Sequence, residues 1–155
     1  MIDEFYEFYL QTNRLIVENL KAHNLSENLC SNISQLILNR VIFLCFCEKY
    51  NIIKKNSIKN IENWKEMNDL FEYANENIIN FTFLFQKNLE CLDIDDEQIF
   101  ENFSKFSSYD ININSLGILF ERNISDFELK RKDGVYYTPD IITEYMCRKP
   151  SILLN

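Results

Sequence analysis

Apolar residues recur at helical spacing along most of the chain. From Ile2 to about His23, the positions Ile2, Phe5, Phe8, Tyr9, Leu15, Ile16 and Leu20 follow a helical period with acidic residues at the start, which predicts an amphipathic helix. Asn24-Leu25-Ser26-Glu27 breaks that pattern, and Ser26 is placed to cap a second helix reaching about Tyr50. This helix carries Leu29, Ile33, Leu36, Ile37, Val41, Leu44 and Cys45, and apolar residues nearly surround its second half, as expected of the central helix of a bundle. Asn51 to Asn60 is polar and lysine-rich apart from Ile52, Ile53 and Ile58, so a loop is expected there, the best candidate for a mobile segment.

From about Ile61 to Asn88, Trp64, Met67, Leu70, Phe71 and Ala74 share a stripe that continues through Ile78, Phe81, Phe85 and Leu89, with a break expected near Asn75 to Asn80. The carboxylates of Leu92-Asp93-Ile94-Asp95-Asp96-Glu97 lack the glycine and the ligand spacing of a calcium loop, and they fit the cap and first turn of a helix from Glu97 to about Phe106. Asp110 to Asn114 alternates polar and apolar residues like a short extended entry. A helix from Asn114 to about Ser125 then places Leu116, Leu119, Phe120 and Ile124 on one face, and Glu128 to Asp133 is a charged loop. The fold class is all-α, an irregular multi-helix bundle of about six or seven helices.

Composition agrees with that class. The chain has 155 residues, 46% of them hydrophobic and 14% aromatic, which suffices for one buried core. Two glycines and two prolines leave little material for hairpins or a phosphate-cradling loop. The abundance of asparagine and isoleucine is read as coding bias. A net charge of -8 is a poor match for an autonomous DNA-binding module, so any nucleic-acid contact must be local or supplied by other parts. Lys130, Arg131 and Lys132 are the local candidates for phosphate contact, set against a plain solvated loop.

Five cysteines, at 30, 45, 47, 91 and 147, contain no Cys-x-x-Cys pair and have only His23 to join them, so no zinc site is legible. Buried thiols in a reducing cytoplasm are the expectation. His23 itself reads as a helix C-terminal surface residue, not a general base. Met1-Ile2-Asp3-Glu4 lacks the features of a signal peptide, and the apolar stretch Leu36 to Cys47 is too short to cross a bilayer, so a soluble protein with no membrane contact is expected. Arg40, inside that stretch, is expected to be a buried and paired arginine that organises the bundle, with Glu48 one candidate partner.

Near the C-terminal end, Thr138-Pro139 is a strong helix start: threonine caps, and proline at the first helical position loses no hydrogen bond. The N–H groups of such a helix suit an anion, and Tyr136 and Tyr137 before it offer flat faces and hydroxyls, as at one end of a small-molecule pocket. The stretch Leu116-Gly117-Ile118-Leu119-Phe120-Glu121, followed by Arg131-Lys132-Asp133-Gly134-Val135-Tyr136-Tyr137-Thr138-Pro139 and on to Met146, resembles the passage leading into the methyltransferase domain of type IIG restriction-modification enzymes and related adenine-specific DNA methyltransferases. Leu38-Asn39-Arg40-Val41-Ile42-Phe43 is similar to a helix in the same family's helical connector.

The resemblance implies a helical connector over 1–127 and the start of a methyltransferase domain over 128–155. It further implies that Tyr136, Tyr137, Thr138 and Pro139 line an S-adenosylmethionine pocket in the intact parent, with DNA and the missing methyltransferase domain or subunit as partners. The remaining machinery is not in this sequence. There is no Asp-Pro-x-x-Gly-x-Gly element to hold the cofactor, and no Asn-Pro-Pro-Tyr element to receive a flipped adenine. No catalytic residue and no metal ligand is assigned, and the chain alone is expected to be inactive and to bind no cofactor tightly. The alternative is a non-enzymatic helical interaction module, or the remnant of a decayed restriction-modification gene.

Overall fold

The computed structural model describes residues 2–78 and 82–117. Among these there are five helices and no strand: α1 (Ile2–Ala22), α2 (Glu27–Lys49), α3 (Trp64–Asn77), α4 (Thr82–Phe85) and α5 (Glu97–Phe106). The all-α class holds, with five helices bounded within the described residues against the six or seven expected of the whole chain. Residues 113–117 are helical, but the rest of the helix expected to reach Ser125, and the whole of the helix expected from Pro139, lie outside the described residues. So does the boundary expected between 127 and 128.

The central helix is α2. Every residue from Ile37 to Cys47 is buried, because α1 and α5 cover one side and α4 covers another, with α3 packed on α4. α1 contributes Phe5, Tyr9, Ile16 and Leu20 at helical spacing, and α5 contributes Ile99, Phe100, Phe103 and Phe106. Edge-on aromatic contacts join the two, Phe5 meeting Phe106 at 5.8 Å and Tyr109 at 5.3 Å between ring centroids. Each such buried side chain stabilises the fold by roughly 1.5–3 kcal/mol relative to exposure, the largest favourable contribution. α2 is 23 residues long, so the expectation that its apolar stretch is too short to span a membrane is corrected: by length and composition it passes, yet most of its apolar window is covered by the rest of the chain.

The helix starts follow their caps. Ser26 Oγ accepts the Leu29 N–H at 3.4 Å, and Asp96 accepts the Gln98 N–H at 3.0 Å, as expected of the cap before Glu97. α3 begins later than expected, at Trp64 rather than Ile61, because Asn63 is its cap: Asn63 Oδ1 accepts the Glu66 N–H at 2.9 Å, and the Glu66 carboxylate reaches back to the Glu62 N–H at 2.8 Å. The break after α3 falls at Ile78, inside the expected interval. α4 stops at Phe85, so Gln86 to Asn88 are not helical as expected. The extended entry expected over Asp110 to Asn114 is also corrected. Asn112 caps the helical residues 113–117, its side chain accepting the Ser115 N–H at 2.9 Å and its carbonyl the Leu116 N–H at 2.9 Å.

Residues 51–60 form turns and bends, as expected of a loop, and within it Ile53 and Ile58 are buried in the core. The Ile58 N–H also donates to Glu48 Oε1 at 3.0 Å, which fixes the segment to the end of α2. The turn into it is a paired C-terminal cap: Asn51 N–H donates to the Glu48 carbonyl and Ile52 N–H to the Cys47 carbonyl, with Asn51 left-handed at φ 60°. Asn24, after α1, is left-handed too, at φ 70°. Asparagine takes the position that glycine usually fills, because its short polar side chain tolerates that conformation.

Candidate functional site

The residues expected to line a cofactor pocket, Tyr136, Tyr137, Thr138 and Pro139, lie outside the described residues, as do Lys130, Arg131 and Lys132. Of the stretch Leu116 to Glu121, only Leu116 and Gly117 are described, and Leu116 is fully buried in the bundle core.

The most unusual chemical group inside the fold is the guanidinium of Arg40, which is 1% exposed. Its position follows from α2: a residue in the middle of a fully buried stretch has no route to water, and its charge must be met by protein groups. Arg40 Nε donates to the Leu84 carbonyl at 2.8 Å, and an Nη donates to the Lys87 carbonyl. The guanidinium also lies against two aromatic faces, 4.9 Å from the Phe71 centroid and 5.6 Å from that of Phe85. Burial was legible in the sequence. Glu48, the candidate partner, receives the Ile58 N–H instead of serving as the anchor that places Arg40.

These contacts shape the chain from Leu84 to Leu89 into a strap across α2 and α3. A third donor completes it, because Trp64 Nε1 donates to the Leu89 carbonyl at 3.1 Å. Backbone carbonyls with no helical or strand partner are thereby satisfied by side chains from α2 and α3. Between the strap and α3 opens a cleft of about 290 Å³ with Arg40, Phe71 and Phe85 at its floor. Its walls are polar: Asp69, Glu72, Asn75 and Glu76 come from successive turns of α3, Lys87 from the strap and Glu90 from the residue that follows it. Sequence reasoning missed this cleft. The helical spacing of the α3 carboxylates was visible, but nothing in residues 86–90 announced that they would run alongside.

A second cluster brings together residues far apart in the sequence. His23, at the end of α1, lies 3.8 Å from Asp93 through Nδ1 and 3.8 Å from Asp95 through Nε2. Asp95 is tied to α1 by a reciprocal pair, Asn19 Nδ2 donating to its carboxylate at 2.9 Å and its own N–H donating to Asn19 Oδ1 at 3.0 Å. The Asn19 hydrogen bond, aided by the nearby His23, holds the Asp95 carboxyl below its ordinary range. All three side chains are exposed, and exposed carboxylates around an imidazole are common where no metal binds, so the cluster carries no metal assignment. His23 sits at the surface at a helix C-terminus, as expected, where a cation is favourable.

Cys30, Cys45 and Cys47 are buried free thiols. Burial pushes both Cys45 and Cys47 well above the usual thiol range, with the Glu48 charge adding to the effect at Cys45. Both are enclosed in the core, away from solvent.

No protein-family model matches this chain, and no curated protein or solved structure does.

Proposed function

We propose that this chain is the helical connector of an adenine-specific DNA methyltransferase or type IIG restriction-modification enzyme, together with the beginning of its methyltransferase domain. The observation that carries the reading is the succession Leu116-Gly117-x-x-Phe120-Glu121 and then Gly134-Val135-Tyr136-Tyr137-Thr138-Pro139, whose first residue is buried in a folded helical bundle. A rigid all-α unit that presents such a passage is what a scaffold between modules requires. The buried Arg40, in the second family-like segment, ties the central helix to the strap and supports the same reading.

In the intact parent, Tyr136, Tyr137, Thr138 and Pro139 line one edge of the S-adenosylmethionine pocket. The reaction is methyl transfer to the exocyclic amine of a flipped adenine in DNA, and the setting is the cytoplasm. This chain by itself performs no such step, since it has neither the glycine-rich cofactor turn nor the Asn-Pro-Pro-Tyr element.

The test is to read and express the coding sequence past Asn155. A continuous frame encoding both missing elements, whose product deposits N6-methyladenine in host DNA and loses that activity on Tyr137→Ala, is the expected result. An immediate stop codon would overturn the fragment reading in favour of a self-sufficient helical interaction module or gene remnant. Tight S-adenosylmethionine binding by residues 1–155 alone, measured by calorimetry, would also contradict it.

A further inference from the structure

We infer that the turn segment after α2 is a contact surface for the phosphodiester backbone of a nucleic acid, with Lys54, Lys55 and Lys59 as its cationic groups. Four lysines and no carboxylate lie between Lys49 and Ile61, in a chain whose net charge is -8. Lys49 is paired with Asp110, whereas Lys54, Lys55 and Lys59 are exposed, and none of these three has an ion-pair partner among the described residues. Like charges gathered on one short segment repel one another, and a polyanion relieves that repulsion.

The backbone beneath these lysines is held in place. Ile53 and Ile58 are buried in the core, and the Ile58 N–H donates to Glu48 Oε1 at 3.0 Å. Asn51 and Asn56, left-handed at φ 60° and 65°, turn the chain on either side of Lys54 and Lys55, and the Asn60 N–H donates to the Asn56 carbonyl at 3.1 Å. A lysine-rich loop needs no such anchoring to stay in water. Anchoring presents the ammonium groups from a set backbone, so that less ordering is required when a ligand arrives.

Lysine is a compact point charge on a flexible stem, which suits phosphate contacts that do not depend on sequence. The negative charge of the whole chain does not prevent such contacts: at physiological salt, charges more than about 8 Å away are largely screened, so the local lysines decide. A membrane surface is a poorer match. Ile53 and Ile58 are buried and Ile52 is half-buried, which leaves residues 51–60 no exposed apolar side chain to enter a headgroup layer. The placement of charge carries the inference, and the choice of DNA before RNA rests on the proposed function.

The experiment follows the fluorescence anisotropy of a labelled, mixed-sequence DNA duplex titrated with the 155-residue chain over a range of salt concentrations. Binding at low salt is expected, with the logarithm of the affinity falling against the logarithm of salt at a slope of about -3, as three phosphate contacts require. Lys54→Gln/Lys55→Gln/Lys59→Gln should remove most of that slope and weaken low-salt binding about tenfold, with the helical circular dichroism unchanged. The control Arg14→Gln/Lys21→Gln/Lys87→Gln makes the same charge change at exposed positions of α1 and the strap and should leave the slope as it was. Tighter binding of an RNA duplex would keep the phosphate contact and assign its source to RNA. None of these measurements bears on what the coding sequence past Asn155 encodes, so failure here is distinct from failure of the proposed function. No binding to either duplex, an unchanged slope in the Lys54/Lys55/Lys59 variant, an equal loss in the control, or binding to phosphatidylserine vesicles in place of both duplexes would overturn the inference.

Discussion

On the α1–α5 side of α2, the buried polar groups are small and neutral; on the α3–α4 side, a full positive charge lies at the bottom of the fold. In the first seam, Thr12 donates its hydroxyl to the Phe8 carbonyl at 2.9 Å and accepts from Asn102 Nδ2 at 3.1 Å, while Asn102 Oδ1 accepts from Gln98 at 2.9 Å. Each group completes its neighbour, and aromatic packing surrounds the set. In the second seam, Arg40 meets backbone carbonyls of an irregular strap, so the charge does not merely sit in the core: it determines where residues 84–89 run. The first seam needs its polar groups to satisfy one another. The second needs its arginine to exist as built.

The largest expected effect tests that difference. Arg40→Met keeps an apolar chain of similar length but leaves the Leu84 and Lys87 carbonyls without their donor, and hydrogen bonds to charged groups contribute about 1.5–3 kcal/mol each. A loss of about 3 kcal/mol is expected in urea unfolding, with amide protection falling in α3 and residues 84–89 before α1 and α5. A neutral or stabilising outcome would show that the buried charge is dispensable and the contrast between seams false. Arg40→Lys should recover only part of the loss, because an ammonium cannot span both carbonyls in a planar fork or stack on Phe71 and Phe85.

In the neutral seam, Asn102→Ala should cost about 2 kcal/mol by truncating a buried side chain and stranding its partners. Adding Thr12→Val should then cost less than Thr12→Val alone, since the two share one network, and a double-mutant cycle measures the coupling. Strict additivity would mean that Thr12 and Asn102 do not act together.

The helix caps are the same on both sides and should not distinguish them. Ser26→Ala at α2, Asn63→Ala at α3 and Asp96→Ala at α5 are each expected to lower stability by about 1 kcal/mol in thermal or urea melts. A much larger loss for Asn63→Ala would indicate that α3 depends on its cap more than on Trp64, Met67 and Phe71, and the charged seam would then be weaker than its contacts suggest.

What was legible in the sequence follows the same division. The apolar stripe of α1, the all-round burial of α2 and the Ser26 and Asp96 caps depend on local spacing and side-chain type, and all were visible. Arg40 was visible as well, as a charge enclosed by apolar neighbours. Its anchors were not, because they are carbonyls, which every residue has, placed by a strap without periodicity. The burial of Ile53 and Ile58 was hidden by the lysines around them. The scarcity of glycine suggested few tight turns, yet Asn24, Asn51 and Asn56 adopt positive φ and make them, so part of the asparagine content read as coding bias has a conformational use. Of the candidate site, the α3 carboxylates could be placed on one helix face, but the wall opposite them could not.

The smallest expected effect lies at the rim of the neutral seam, where Asn19 joins α1 to the entry of α5 through Asp95. Asp95 is fully exposed, so its contribution to stability is screened and small. Its sign is nevertheless determined. The Asn19 hydrogen bond favours the ionised carboxylate and lowers the folded-state value, so the contribution is present above the ordinary aspartate range and disappears as pH falls through the depressed value. In a carboxyl-carbon NMR titration, Asp95 should titrate below a typical exposed aspartate, and Asn19→Ala should move it back upward. His23 remains in that variant, so a partial return measures what the imidazole adds, whereas a complete return assigns the shift to Asn19. An Asp95 midpoint unchanged by Asn19→Ala would mean that the reciprocal pair does not hold α1 to the α5 entry in solution, and that the neutral seam ends at Thr12 and Asn102 instead of reaching the surface.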